Sequence, residues 1–345
     1  MEPTTGVPVD GFAGFFDLLR RFRAGRFDVA VSTTPPPKVA FFGALAAKSC
    51  GVPHVTDVRD PYSVQRARLD GLSPRSLRGA RYWWPHFLFE AFSYHLSSKV
   101  FVVTGRLAGV LRRWFRLPGG RFATVRNGTD ADVLRPDPVA RRELRRRLGV
   151  AEDGVAFAYV GVVRGRGVLE FVRHLGGVVK ERGWHVLLVL LSSSADGPLL
   201  ASLDREIRQR GLSGQVHRLE PAPLGVLARY LSAADFGVSA VDPADDVTLP
   251  VKNFDYLACG LPVVGVYPAT SPLSGFVRRW RVGLVAPSWS RLASRLPKFV
   301  EEVTRSPSER ETWRRRCAEI AEKHLSRKVQ AERAIEVLKN LTSTT

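Results

Sequence analysis

The chain has 345 residues, 45% hydrophobic and 25% charged, which leaves room for two domains with ordinary cores and excludes a disordered, collagen-like or coiled-coil chain. Three dispersed cysteines, Cys50, Cys259 and Cys317, without C-x-x-C spacing exclude a disulfide framework and a zinc ribbon. Fifty-two Lys and Arg against 33 Asp and Glu give a net charge of +19, a field that favours anionic partners without choosing among phospholipid, nucleic acid and phosphorylated small molecules.

The excess is concentrated early, with 19 basic against 8 acidic residues over Met1–Asn127. The start, MEPTTGVPVDG, has neither the basic n-region nor the apolar h-region of a secretory signal, so a cytoplasmic location is expected. The purest apolar run, Val186 to Leu191, is a strand's length and far short of a membrane span.

Short β-branched runs alternate with longer amphipathic stretches from end to end, the pattern of crossover units on a parallel sheet. The chain opens on a helix, Phe12 to Arg23. Strands are predicted at Asp28 to Ser32, Pro53 to Asp57, Lys99 to Thr104 and Phe122 to Arg126, with helices at Lys38 to Ser49 and Tyr82 to Leu96 between them. After an Asn-Gly turn and two Pro turns comes a basic helix, RRELRRRLG, read as a solvated charged face, with a domain boundary near residues 130 to 150. A second series of strands follows at Val155 to Val160, His185 to Leu191, Gln215 to Leu219, Phe236 to Ala240, Pro262 to Val266 and Gly283 to Val285. Helices at Val168 to Arg182 and Pro198 to Arg210 separate the first of these. Beyond Pro307 the chain is helical and charged, and Lys328 to Leu341 is expected to pack back on the first domain.

The chemistry is densest in LPVKNFDYLACGLPVVG, Leu249 to Gly265. Lys252 and Asp255 open a helix that closes at Cys259-Gly260 and feeds a strand. A lysine at a helix start suits a phosphate, and a carboxylate one turn on can accept hydrogen bonds from sugar hydroxyls. YVGVVRGRG is a strand followed by a flexible basic loop, in which Gly161, Gly165 and Gly167 allow close backbone approach and Arg164 and Arg166 can clamp a diphosphate bidentately. Asn127-Gly128 ends a first-domain strand and can touch a ligand or simply turn. Asp57, Arg59 and Asp60 cluster at another strand end, where open α/β sheets bind ligands, with an internal ion pair as the plainer reading. Asp130 and Asp132 read as turn residues rather than a metal site. No histidine pair has metal spacing and no nucleophile elbow is present. The aromatic stretch Arg81 to Leu96 and the helix Gly105 to Arg121 read as core packing and an ordinary amphipathic helix, or as docking on an anionic membrane.

The Leu249–Gly265 stretch resembles the second nucleotide-sugar signature of family 4 glycosyltransferases, the retaining GT-B group, written P-x-K-x-[FY]-[ED]-Y-x-A-x-G-x-P-V-V. Pro250, Lys252, Phe254, Asp255, Tyr256, Ala258, Gly260, Pro262, Val263 and Val264 match it in order. The run from Asp28 to Tyr62, the strands leading to Thr104 and to the N-G-x-D turn, the AYVGVVRGRG loop and the LARYLSAADFGVSAV step are similar to the same family. The resemblance implies an α/β GT-B fold of two Rossmann-like domains facing a cleft, the N-terminal one incomplete. It implies domains over 1–135 (acceptor side), 136–325 (nucleotide-sugar binding) and a C-terminal helix over 326–345.

It further implies transfer of a sugar from a nucleotide-sugar to a lipid-linked or cell-surface glycan, with retention and without a metal or other cofactor. In the family the residue at Asp255 contacts the donor ribose; the classical second glutamate, eight residues earlier, is replaced here by Val247. The implied catalytic residues are Asp60, on the acceptor side, with Arg164 and Lys252. The implied donor contacts are Gly161, Arg164, Arg166, Lys252, Asn253, Asp255, Asn127 and Gly128. Peripheral contact with an anionic membrane, and a partner that completes the first domain, are expected as well. The rival readings are a non-catalytic binding subunit on the same fold, an epimerase, whose carboxylate and histidine set is not found, and a basic nucleic-acid binder, for which no module is present.

Overall fold

The computed structural model describes residues 12–25, 27–63, 77–163, 167–191, 193, 196–241, 247 and 249–343. They form two units, one of the residues up to Asn127 together with those from Ala331 onward, the other of Gly128–Gln330.

In the first unit the order is α1 (Phe12–Ala24), β1 (Ala30–Thr34), α2 (Pro37–Ser49), β2 (His54–Val58), α3 (Leu77–Leu96), β3 (Lys99–Val102), α4 (Gly105–Phe115) and β4 (Phe122–Thr124). The strands pair in parallel in the order β1-β2-β3-β4. Every residue of β2 is buried, as for a strand covered on both faces, so its polar groups need internal partners. His54 finds them in Ser97 Oγ and Ser32 Oγ, each at 2.9 Å, and Thr56 shares Ser97 at 2.7 Å. Burial keeps the imidazole neutral, with its pKa brought down to about 4.

The helix α3 begins at Leu77, before the expected Tyr82, and carries Pro85 inside. Proline lacks an N–H and crowds the preceding turn, which favours a start close to it. The stacking of Trp83 on Phe87 and of Phe87 on Phe115 holds the helix in place on both sides of it.

The second unit runs α5 (Pro138–Leu148), β5 (Ala156–Gly161), α6 (Gly167–Glu181), β6 (His185–Leu190), α7 (Gly197–Gln209), β7 (Val216–Leu219), α8 (Leu224–Ser232) and β8 (Phe236–Ala240). It continues with α9 (Lys252–Ala258), β9 (Val263–Val266), α10 (Pro272–Trp280), β10 (Gly283–Ala286), α11 (Trp289–Thr304) and α12 (Pro307–Leu325). The strands form one parallel sheet in the order β10-β9-β8-β5-β6-β7, with an apolar core on each face. A last helix, α13 (Arg327–Thr342), carries Ala334, Val337, Leu338 and Leu341, which pack with Val55, Phe101 and Val125 of the first unit.

The basic helix α5 corrects the reading of RRELRRRLG as a solvated face. Arg142, Glu143, Arg146 and Arg147 are exposed, but Arg141 and Arg145 are buried, Arg145 to 1% exposure. Both bind Asp235, at 2.8 and 3.2 Å, and Arg310 and Arg314 approach the same carboxylate at 3.3 and 3.6 Å. Burial by itself would raise the pKa of Asp235; the four guanidiniums outweigh it and hold the carboxyl below its ordinary range. A helix that looks uniformly charged in sequence has an inward stripe because a buried carboxylate lies beneath it.

Candidate functional site

Strand order in the second unit reverses at β5. From β5 the chain goes outward to β6 and β7 on one side and then returns to β8, β9 and β10 on the other. In open parallel sheets, the crevice beyond the carboxyl ends of the strands at such a reversal is where ligands bind. Strands β5 and β8 pair only at Phe157 with Phe236 and Ala158 with Gly237, then part. The hydroxyl of Tyr256, on α9, fills the opening: it accepts the Val160 N–H at 2.8 Å and donates to the Val238 carbonyl at 3.2 Å. Two backbone groups that the parted strands leave without ladder partners are thereby paired, and α9 is fixed at the carboxyl end of β5.

That docking brings Lys252, the first residue of α9, to Gly161, the last of β5. Gly161 has φ +140, which L side chains rarely adopt, and a Cβ there would lie 3.3 Å from Lys252 Nζ. The ammonium stands over the Tyr159 ring, 4.4 Å from its centroid. Tyr159 itself is buried, donates to the Val162 carbonyl at 2.8 Å and has its pKa pushed up to about 12 by burial. Lys252 meets no carboxylate among the described residues, and burial lowers its pKa to about 8. With only seven residues, α9 contributes little dipole, so the positive character here rests on the Lys252 charge. Residues 164–166, with Arg164, Gly165 and Arg166, lie outside the described residues, as do Asp245 and Asp246. Gly167 opens α6 with its open side against the Tyr159 ring.

The other donor-side candidates divide. Asp255 accepts a hydrogen bond from Thr129 Oγ1 at 2.7 Å. Burial raises its pKa, while the Thr129 bond and the Arg327 charge oppose the rise. Thr129 is in turn fastened by its N–H to the Leu325 carbonyl at 2.8 Å and by its carbonyl to the Arg327 N–H at 2.9 Å. Asn253 is fully buried, and its amide donates to the Pro250 carbonyl at 3.0 Å and the Tyr267 hydroxyl at 3.3 Å. Its side chain therefore serves the fold around α9 and does not join Lys252. Gly128 packs on Arg327, where a Cβ would lie 2.6 Å from the Arg327 Cα, so close packing already requires glycine.

In the first unit Arg59 forms the ion pair that was the plainer reading of its cluster, its Nε donating to Asp57 at 2.7 Å and its Nη1 to Asn127 Oδ1 at 2.7 Å. Asn127 is thus tied to the end of β2. Asp60 is half-buried just beyond that end, with its pKa raised by burial. Sequence reasoning missed Glu90 on α3, a buried carboxyl that accepts from the Ser63 hydroxyl, from the Ser63 N–H at 3.2 Å and from the Tyr94 hydroxyl at 3.1 Å. Burial pushes its pKa up to about 7 against those hydrogen bonds. It holds the chain three residues after Asp60. Tyr159 and Thr129 were missed as well, because a tyrosine in a strand and a threonine in a turn carry no signal of what they will face; Tyr256 was matched in the signature, but not its contacts with the parted strands.

Residues 3–133 match the family model described as Glycosyltransferase Family 4. No curated protein matches the chain. Among solved structures, the chain is similar to HepE of Anabaena, determined in complex with UDP, with TM-score 0.74 and 15% identity over 95% of this chain and 82% of that one. It is similar to sucrose-phosphate synthase of Thermosynechococcus elongatus, with TM-score 0.70 and 18% identity over 100% and 82% of the two chains. It is also similar to WaaG, a glycosyltransferase involved in lipopolysaccharide biosynthesis, with TM-score 0.60 and 15% identity over 94% and 96%. At these identities the likeness is one of fold.

Proposed function

We propose that the chain, whose residues 3–133 match the Glycosyltransferase Family 4 model and which has a GT-B fold of two Rossmann-like domains, is a glycosyltransferase of the family 4 type that binds the diphosphate of a nucleotide-sugar at Lys252 and Gly161 and transfers the sugar to a lipid-linked or cell-surface glycan. The observation that carries this reading is the Lys252 ammonium, largely buried at the strand-order reversal, against a glycine, and without a carboxylate partner among the described residues. A desolvated cation in that position is satisfied by an anion that comes and goes.

The chemistry follows from charge. As the glycosidic bond breaks, negative charge grows on the leaving diphosphate, and a fixed cation stabilises that charge more than it stabilises the ground state. Arg164 and Arg166, which follow β5 in the sequence, would add bidentate contacts to the same group. Cationic side chains then take the part a metal ion would play, and transfer proceeds without one. Asp255, with one oxygen on Thr129, can offer the other to the ribose hydroxyls. Asp60, half-buried at the end of β2, would accept a hydrogen bond from the acceptor hydroxyl. Retention of anomeric configuration and action at the inner face of the cell membrane belong to the same reading.

Thermal melting with UDP, GDP, ADP and dTDP in the presence of EDTA tests it. UDP, which the Anabaena HepE structure contains, is the first to try. A rise in Tm that survives EDTA and is lost in Lys252→Ala is expected, since a ligand selective for the folded state stabilises it by mass action. No shift with any of the four at millimolar concentration, or a shift that requires magnesium or manganese, overturns it.

A further inference from the structure

Helix α3 has apolar residues on both of its sides. Inward, Trp83 stacks on Phe87 with centroids 4.5 Å apart, Phe87 stacks on Phe115 of α4 at 4.7 Å, and Tyr94 meets Phe115 edge-on at 5.0 Å. Outward, Trp84, Leu88 and Phe92 are 49%, 44% and 52% exposed. Spaced four residues apart, they form a stripe about 12 Å long on one side of the helix. Trp114 of α4 is 44% exposed and meets Trp83, the chain neighbour of Trp84, edge-on at 6.2 Å. Phe92, at the end of the stripe, lies 6.0 Å from Phe41 of α2. The rings are braced by neighbouring aromatics, so the stripe is a standing feature of the surface. An ordinary solvent-facing helix would carry polar residues there.

Among the described residues, the exposed charges that α3, α4 and the residue closing α4 carry are of one sign. Arg81, Arg106, Arg112, Arg113 and Arg116 are exposed, while the one carboxylate on α3 is the buried Glu90 and α4 carries none. We propose that this face of α3 and α4 docks on an anionic lipid surface, with Trp84, Leu88, Phe92 and Trp114 entering the headgroup region and the arginines on the lipid phosphates. Tryptophan rings, apolar with one N–H, suit the boundary between headgroups and acyl chains. A basic rim adds electrostatic attraction to anionic lipid. A second copy of the chain would bring the same arginines against one another, and charge complementarity therefore favours the membrane. No helix among the described residues is long and apolar enough to cross a membrane, so the contact is peripheral. The docking face lies in the first unit and does not depend on the donor-site reading, which the nucleotide melting shift tests separately.

The test is co-sedimentation of the full chain with phosphatidylcholine vesicles and with vesicles that also carry phosphatidylglycerol, alongside tryptophan emission. Binding to the acidic vesicles with a blue shift is expected, and it should weaken as salt is raised from 0.05 to 0.5 M, roughly, because charges are screened over a Debye length of about 10 Å at 0.1 M. The combined variant Trp84→Ser, Leu88→Ser, Phe92→Ser should lose the vesicle-bound fraction and keep its cooperative melt. Each of Arg112→Gln, Arg113→Gln and Arg116→Gln should lower partitioning about fivefold. Equal binding to both kinds of vesicle, no binding to acidic vesicles, or binding unchanged in the triple-serine variant overturns the proposal. So does a wild-type dimer that the triple-serine variant converts to monomer, since the face would then be covered by a second copy.

Discussion

Lys252 Nζ stands 4.4 Å from the centre of the Tyr159 ring, with burial bringing its pKa down to about 8 from an ordinary value of 10.5. The ring face favours the charged form, but the loss of water outweighs it. Between pH of about 8 and 10.5 the unfolded chain holds a proton at this lysine that the folded chain has shed, so stability rises with pH across that window. Lys252→Met should therefore raise the Tm of the free protein at pH 7 while it abolishes the nucleoside diphosphate shift. Calorimetric titration of the wild type at pH 7 and pH 9 should show weaker diphosphate binding at the higher pH. Equal affinity at both would mean that Lys252 does not meet the diphosphate.

Gly161→Ala places a methyl at φ +140 and 3.3 Å from Lys252 Nζ. The backbone strain should cost roughly 1–3 kcal/mol, seen as a lower urea midpoint with unchanged slope. Displacement of the ammonium should weaken diphosphate binding about tenfold, equivalent to about 1.4 kcal/mol. A variant with wild-type affinity would separate Gly161 from the donor site.

Tyr256→Phe removes one hydroxyl and leaves the Val160 N–H and the Val238 carbonyl without their partner. Urea unfolding should show a loss of about 1–3 kcal/mol. Hydrogen exchange at Val160 should quicken more than exchange at Ala158, where β5 and β8 still pair. Uniform quickening along β5 would show that the parted ends are held by something other than this hydroxyl.

Asp235→Asn leaves four arginines around a neutral side chain. Removal of one partner from a buried charge cluster typically costs about 3–5 kcal/mol, and this substitution should reach that range. The folded pKa of Asp235 is depressed, so its contribution is present above the unfolded value, near 4, and is lost as pH falls through the lower folded one. The wild type should therefore lose stability in acid more steeply than Asp235→Asn. Parallel acid profiles for the two proteins would argue against the cluster.

The order of strands and helices was legible in the residues because apolar periodicity records which face of each element repeats, and both sheets contain the strands that alternation predicts. The Leu249–Gly265 signature was equally legible, since Lys252, Asp255 and Gly260 hold a fixed spacing within one short helix and its turn. Partners distant in the chain were not. Thr129 meets Asp255 across 126 positions, and Arg141 meets Asp235 across 94. A local pattern can say that a residue is polar, but only the path of the chain decides what stands opposite it. For the same reason RRELRRRLG looked like a solvated helix until Asp235 lay beneath it. The aromatic run of α3 did not reveal that Trp83 turns inward while Trp84 turns out. Adjacent residues on a helix differ by about 100° in direction, and the packing of α3 against α2 and α4 chose which of the two rings the core would take.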